Sequence, residues 1–125
     1  MATPADAIRE FVRALATLPI AADPAHVKDD VAALRRAFPR DDDFTRALQS
    51  VTRHLHNLRP DKVSELDHEL AGWWRLKFSS GIDQRADLRI IFRPTKDGFE
   101  LRAFGHRHDP ASIYFRSASR RSRRR

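Results

Sequence analysis

The residues able to do chemistry gather late in the chain. His106, Arg107 and His108 stand in a row behind the apolar run LRAF, and Tyr114 follows in the same segment, LRAFGHRHDPASIYFR. A free imidazole titrates near pH 6.5, at about the right place to pass protons at neutral pH. A guanidinium keeps its charge and acts as a fixed cation. Upstream, Arg75, Lys77, Arg89 and Arg93 recur at alternate positions of WWRLKF and LRIIFR. Side chains two apart on a strand share a face. Four cations at fixed spacing on one face suit a phosphate backbone, each able to neutralise one phosphate. The competing reading is a solvated basic face that keeps an exposed sheet soluble.

These side chains need rigid elements beneath them. In WWRLKF, Trp74, Leu76 and Phe78 alternate with Trp73, Arg75 and Lys77. In LRIIFR, Leu88, Ile90 and Phe92 alternate with Arg89, Ile91 and Arg93. PTKDG between Pro94 and Gly98 marks a hairpin turn, and FELRAF is the next strand. Leu101 and Ala103 then anchor that strand on one side, and Gly105 lets the chain bend off its end. Trp74 belongs to the core and Trp73 to the basic face or its rim.

The first half is helical. Thr3-Pro4 and Asp23-Pro24 are helix starts, a capping side chain followed by proline. Ile8, Phe11, Val12 and Leu15 make one apolar stripe; Val27, Val31, Leu34 and Phe38 make a second. Asp41, Asp42 and Asp43 offer a cap and negative charge for a third helix, with Phe44, Leu48, Val51 and Leu55 as its stripe. Residues 61–69 read as a helical turn or a loop. The expected architecture is α+β: N-terminal helices packed on one face of a small antiparallel β-sheet of three to four strands, with the basic face left open.

Length and charge fit one domain with an appended tail. The 125 residues divide into a helical part, 1–72, and a sheet part, 73–116, followed by a basic disordered tail, 117–125. Residues 1–72 hold ten Lys/Arg against twelve Asp/Glu, whereas residues 73–125 hold fourteen against five. The net +7 of the chain therefore belongs to its second half, which points to a polyanionic partner. The absence of cysteine excludes disulfides and thiolate metal sites, and makes a reducing, cytoplasmic setting the natural expectation. No apolar run approaches a membrane span, and Met1 to Leu18 lacks the apolar middle of a signal peptide. His54 and His56 do not share a helix face, so no metal site is expected there.

Taken together and in order, ELAGWWRLKF, DLRIIF and FGHRHDPASIY resemble the C-terminal half of the RelE/ParE superfamily of toxins from toxin–antitoxin pairs. The resemblance covers Glu69 to Tyr114. It implies helices on one face of a small antiparallel sheet, the RelE-like microbial ribonuclease fold. It also implies activity: the RelE branch cuts messenger RNA in the ribosomal A site, whereas the ParE branch poisons DNA gyrase without cutting RNA. An inactive RNA-binding relative is a third possibility. The implied partners are messenger RNA, the ribosome with its RNA, and a cognate acidic antitoxin that covers the basic face or displaces the segment around Tyr114. No membrane, metal or cofactor is implied.

Carried over by position, Arg75 and Lys77 match the basic pair on the family's first sheet strand, Arg89 the arginine of the second, and Arg107 the arginine after the third. Tyr114 matches a late tyrosine that packs on the nucleotide, and His106 stands where relatives have Lys or His. Metal-free RNA cleavage uses the ribose 2′-hydroxyl as nucleophile. It needs a base, cations for the developing phosphorane, and an acid for the leaving 5′-oxygen. Two arrangements are open. One uses Lys77 as base with Arg75, Arg89 and Arg107 as clamps. The other pairs Glu65 as base with Arg89 and with His106 or His108 as acid. Arg93, His108, Trp73 and Arg116 are the further candidates for RNA contact, and the arginine tail for ribosomal RNA. Relatives open with a short strand before their helices; the spacing of Ile8 to Leu15 is helical instead.

Overall fold

The signals read from the first helix act as their chemistry dictates. Thr3 caps Pro4–Thr17, here α1: its hydroxyl accepts from the Asp6 N–H, and the Asp6 carboxylate accepts from the Thr3 N–H. The Thr3 backbone N–H holds the Asp6 carboxyl below its ordinary range. The computed structural model describes residues 2–58, 64–65, 70–82, 85–108 and 113–120. A short strand, β1 (Ile20–Ala22), follows α1. Asp23 caps α2 (Pro24–Ala37) by accepting from the N–H groups of Ala25 and His26. In α3 (Asp41–Leu55) the three aspartates lie in the first turn and favour it by charge, but none caps it; the cap position is Arg40, without a side-chain hydrogen bond.

β2 (Ser64–Glu65), β3 (Trp74–Phe78), β4 (Leu88–Pro94) and β5 (Phe99–His106) complete the sheet, in the order β1-β5-β4-β3-β2. β3, β4 and β5 are the expected antiparallel meander. The Thr95 N–H donates to the Gly98 carbonyl in the hairpin between β4 and β5. The fold is α+β, as expected, with α1, α2 and α3 on one sheet face. Two short strands extend the meander: β2, within the stretch expected to be a turn or loop, and β1. β1 comes after the first helix and pairs parallel with β5 at Phe99–Leu101. Apart from the backbone of β2, the loop or turn expected over 61–69 lies outside the described residues.

The helical side holds the main core. Phe11, Leu34, Phe44, Leu48 and Val51 from the helices meet Leu88, Ile90, Phe92, Leu101 and Phe104 from the sheet. The other sheet face departs from expectation. It is covered in part by a fourth helix, α4 (Ile113–Ser119), which packs Ile113, Tyr114 and Ala118 on Trp73, Ile91 and Ala103. The expected disordered tail therefore starts too early: residues 117–119 are helical and Arg120 is tied into the body, while 121–125 lie outside the described residues. Among the described residues, no helix is long and apolar enough to cross a membrane.

One irregularity decides which face the end of β5 shows. The β4–β5 register slips between Ile91 and Phe92, so that Ile91 pairs with Ala103 and Phe92 with Leu101. Arg102 is the extra residue of a bulge. Leu101 and Phe104 therefore face the main core, while Ala103 turns to the α4 side. Leu101 and Ala103 do not share a face, contrary to strict alternation.

Candidate nucleic-acid interface

β3 and β4 bring Arg75, Lys77 and Arg89 onto the face opposite the main core. Lys77 and Arg89 are direct cross-strand partners, and Arg75 stands opposite Ile91. Tyr114 reaches this cluster from α4. Its hydroxyl accepts from Arg75 Nη1 at 3.2 Å and from Arg89 Nε at 3.1 Å. The Arg75 guanidinium carbon lies 5.8 Å from the Tyr114 ring centre. Arg89 is only 6% exposed, and its Nη1 donates to the carbonyls of Ala86 and Leu88 at 2.6 and 2.8 Å. Its head group is thus fixed before any ligand arrives. Arg75 is half-buried, its Nε enclosed without a hydrogen-bond partner, and Lys77 is exposed. Among the described residues no carboxylate pairs with any of the three. Like charges opposite one another weaken a sheet, so a partly desolvated cationic cluster with no counter-ion among the described residues is a structural cost that an anion would relieve.

Arg107 follows β5. Its N–H donates to the Asp87 carbonyl at 2.9 Å, continuing the ladder one step beyond Leu88 and His106. By the alternation of the ladder, Arg107 belongs to the face of Arg89. Its Nε is buried without a hydrogen-bond partner. The Asp87 carboxylate accepts from the N–H and hydroxyl of Ser80, at 2.8 and 2.7 Å. That pair fixes the turn from which Ala86 and Leu88 hold Arg89.

His106 is not part of the cluster. It pairs with Leu88, a main-core residue, and its ring lies edge-on to Phe38 at 5.9 Å on the helical side. Its Nδ1 accepts from the His108 N–H at 3.1 Å. His108 is exposed in the turn after β5. The structure therefore does not bring His106 to Arg89. Glu65 falls opposite Trp74 in the β2–β3 ladder, while Arg75 faces Ser64; the Glu65 side chain lies outside the described residues.

The remaining candidates are engaged elsewhere. Arg93 forms an ion pair with Glu100, at 2.8 Å from Nη2 and 2.9 Å from Nε. Trp73 is 4% exposed. Its ring lies 4.3 Å from the Arg93 guanidinium carbon and 4.8 Å from that of Arg102. Arg116 donates to Asp30 Oδ1 and to the Phe104 carbonyl, each at 3.2 Å. His54 stacks on Phe78 at 4.2 Å, with Nδ1 2.8 Å from the Ser50 carbonyl. Among the described residues no group of His, Asp and Glu could hold a metal.

Sequence reasoning missed the anchor of α4. Asp30, 1% exposed on α2, accepts from Nη1 and Nη2 of Arg120 at 2.9 and 2.7 Å, from Arg116, and from the Phe104 N–H at 3.2 Å. β1 covers the edge of β5 only at Phe99–Leu101. Beyond it, Asp30, Arg116 and Arg120 satisfy the outward backbone groups of Arg102 and Phe104. The available signal was an acid inside the Val27–Leu34 stripe of α2, at core spacing. Arg102 is also buried, and that burial pulls its guanidinium below the ordinary arginine range, with Glu100 opposing the shift. No protein-family model matches the chain, and no curated protein or solved structure is significantly similar to it.

Proposed function

We propose that this protein is the toxin of a toxin–antitoxin pair that cleaves messenger RNA on the ribosome. The observation that carries the reading is the convergence of Arg75 and Arg89 on one hydroxyl oxygen beside the exposed Lys77, without a paired carboxylate among the described residues. Two guanidinium donors about 3 Å from one oxygen suit a phosphate oxygen equally well. In the proposed reaction the RNA phosphate takes the donors that Tyr114 now occupies, and the freed ring packs on the adjoining nucleotide. The 2′-oxygen bonds to phosphorus as the bond to the 5′-oxygen breaks, leaving a 2′,3′-cyclic phosphate and a 5′-hydroxyl end. Arg75, Arg89 and Arg107 meet the charge that builds on the phosphorane oxygens. Among the described residues Lys77 is the one exposed amine beside them; it serves as base, taking the 2′-hydroxyl proton, and the leaving 5′-oxygen takes its proton from solvent. The placement of His106 on the helical side favours this lysine–arginine arrangement over one that uses His106 as acid. The proposed partners are messenger RNA in the A site, ribosomal RNA and an acidic antitoxin, in the cytoplasm.

Among the described residues no histidine joins the cluster, which also favours a second reading, an RNA-binding or gyrase-directed relative that does not cut. The test uses purified protein with programmed ribosomes and a 5′-end-labelled message. Ribosome-dependent breaks whose labelled fragments end in a 2′,3′-cyclic phosphate, lost with Lys77→Ala, support the nuclease. An intact message, together with blocked gyrase supercoiling, supports the second reading.

A further inference from the structure

We propose that the groove between α1 and α2 is a docking site for an acidic amphipathic helix of a partner protein. α1 carries two apolar stripes. Ala7, Phe11 and Ala14 are buried. Ile8, Val12 and Leu15 run beside them, and Val12 remains 55% exposed. α1 rests mainly on α3 and α2 mainly on β5, so the two helices splay apart rather than pack on each other. Between them lies a groove of about 890 Å³, with Val27 and Val31 on its far wall and Ile20 of β1 in its floor. Isolated exposed apolar residues need no explanation, but a continuous apolar trough does.

Its shape suits a third helix whose side chains at i, i+4 and i+7 fill the trough. Its charge selects the kind of helix. Among the described residues, the charged groups lining the groove are Lys28 and Arg35, both cationic. Arg35 gives Nη2 to Asp41 and stacks over Phe44, while its Nη1 is enclosed without a hydrogen-bond partner. The groove cation open to a partner is therefore Lys28, which has no ion pair among the described residues, and a glutamate flanking the apolar stripe of an incoming helix would pair with it. A second copy of this chain fits poorly, because it would set Lys28 and Arg35 of a +7 chain against themselves. The inference uses no residue of the sheet cluster and does not depend on RNA chemistry.

The test is fluorescence anisotropy with a helix-stapled synthetic peptide of about 18 residues, leucines on one stripe and glutamates on its flanks. The expected result is saturable binding that weakens about tenfold or more when the glutamates become lysines. Val12→Asp and Lys28→Glu each weaken it by about the same factor, with unchanged circular dichroism and melting, and Lys77→Ala leaves it unchanged. Several results overturn the proposal: no binding of either peptide, equal binding of both, or affinity untouched by Val12→Asp. So does a wild-type dimer in sedimentation that Val12→Asp dissociates, since the groove would then take a second copy.

Discussion

Arg89 and Lys77 face each other across β3 and β4, yet they do different work in the fold. Lys77 is exposed and holds nothing in place, whereas Arg89 is buried and bonded to two carbonyls and a phenol. Lys77→Ala is therefore expected to change stability by less than about 0.5 kcal/mol while cutting RNA cleavage by about a hundredfold. Arg89→Ala is expected to lose both, with about 1–3 kcal/mol of stability gone because its partners are left unsatisfied. Urea melts and end-labelled cleavage assays on the two variants separate the effects. Gly105 makes a second residue-scale prediction. Its φ is +149°, and a Cβ there would lie 3.0 Å from Arg116 Nη2. Gly105→Ala is expected to cost about 1–3 kcal/mol in the same melts. Period-two alternation was enough to put Arg75, Lys77 and Arg89 on one face. It failed for His106 for a definite reason. Strict alternation sets His106 opposite Leu101, and the extra residue at Arg102 reverses that parity, sending the ring to Phe38. Nothing local in FELRAFGH announces the bulge.

At the scale of elements, α4 is the part the composition concealed. A stretch rich in serine and arginine reads as a solvated tail, but Arg116 and Arg120 sit one helical turn apart and meet a single buried carboxylate far away in sequence. The pairing is visible only once α2, β5 and α4 are folded together. Because Asp30 is nearly inaccessible, removing it takes the shared buried carboxylate from two guanidinium groups and the acceptor from the Phe104 N–H. Asp30→Ala is expected to destabilise the protein by about 3–5 kcal/mol. The double variant Arg116→Ala/Arg120→Ala is expected to release α4 before the rest of the fold. Hydrogen exchange then reports early loss of protection in 113–119 while the α3 amides stay protected. Protection lost everywhere at once would show that α4 is not a separable unit.

For the whole molecule, the charge asymmetry seen in the sequence is partly consumed by the fold. Arg93, Arg116 and Arg120 are committed to Glu100 and Asp30, and Arg102 to the backbone of Ser117 and Arg120. Four of the fourteen basic residues of the second half are thereby committed, and among the described residues the cations left for a polyanion centre on Arg75, Lys77, Arg89 and Arg107. RNA affinity is therefore expected to fall with log salt at a slope of about −2 to −3, which corresponds to three or four phosphates on a single strand. A slope as steep as the full basic count would mean that the committed arginines let go on binding. The α+β plan and its meander were readable from periodicity and turn residues. The parallel β1 was not, because three residues, Ile20–Ala22, are too few to show a period. What the Arg75–Lys77–Arg89 cluster does in a cell can be read most directly by mapping RNA ends on translated messages after induction. Codon-phased breaks with the wild type, absent with the fold-neutral Lys77→Ala, are the expected result; intact messages during growth arrest by the wild type would contradict it.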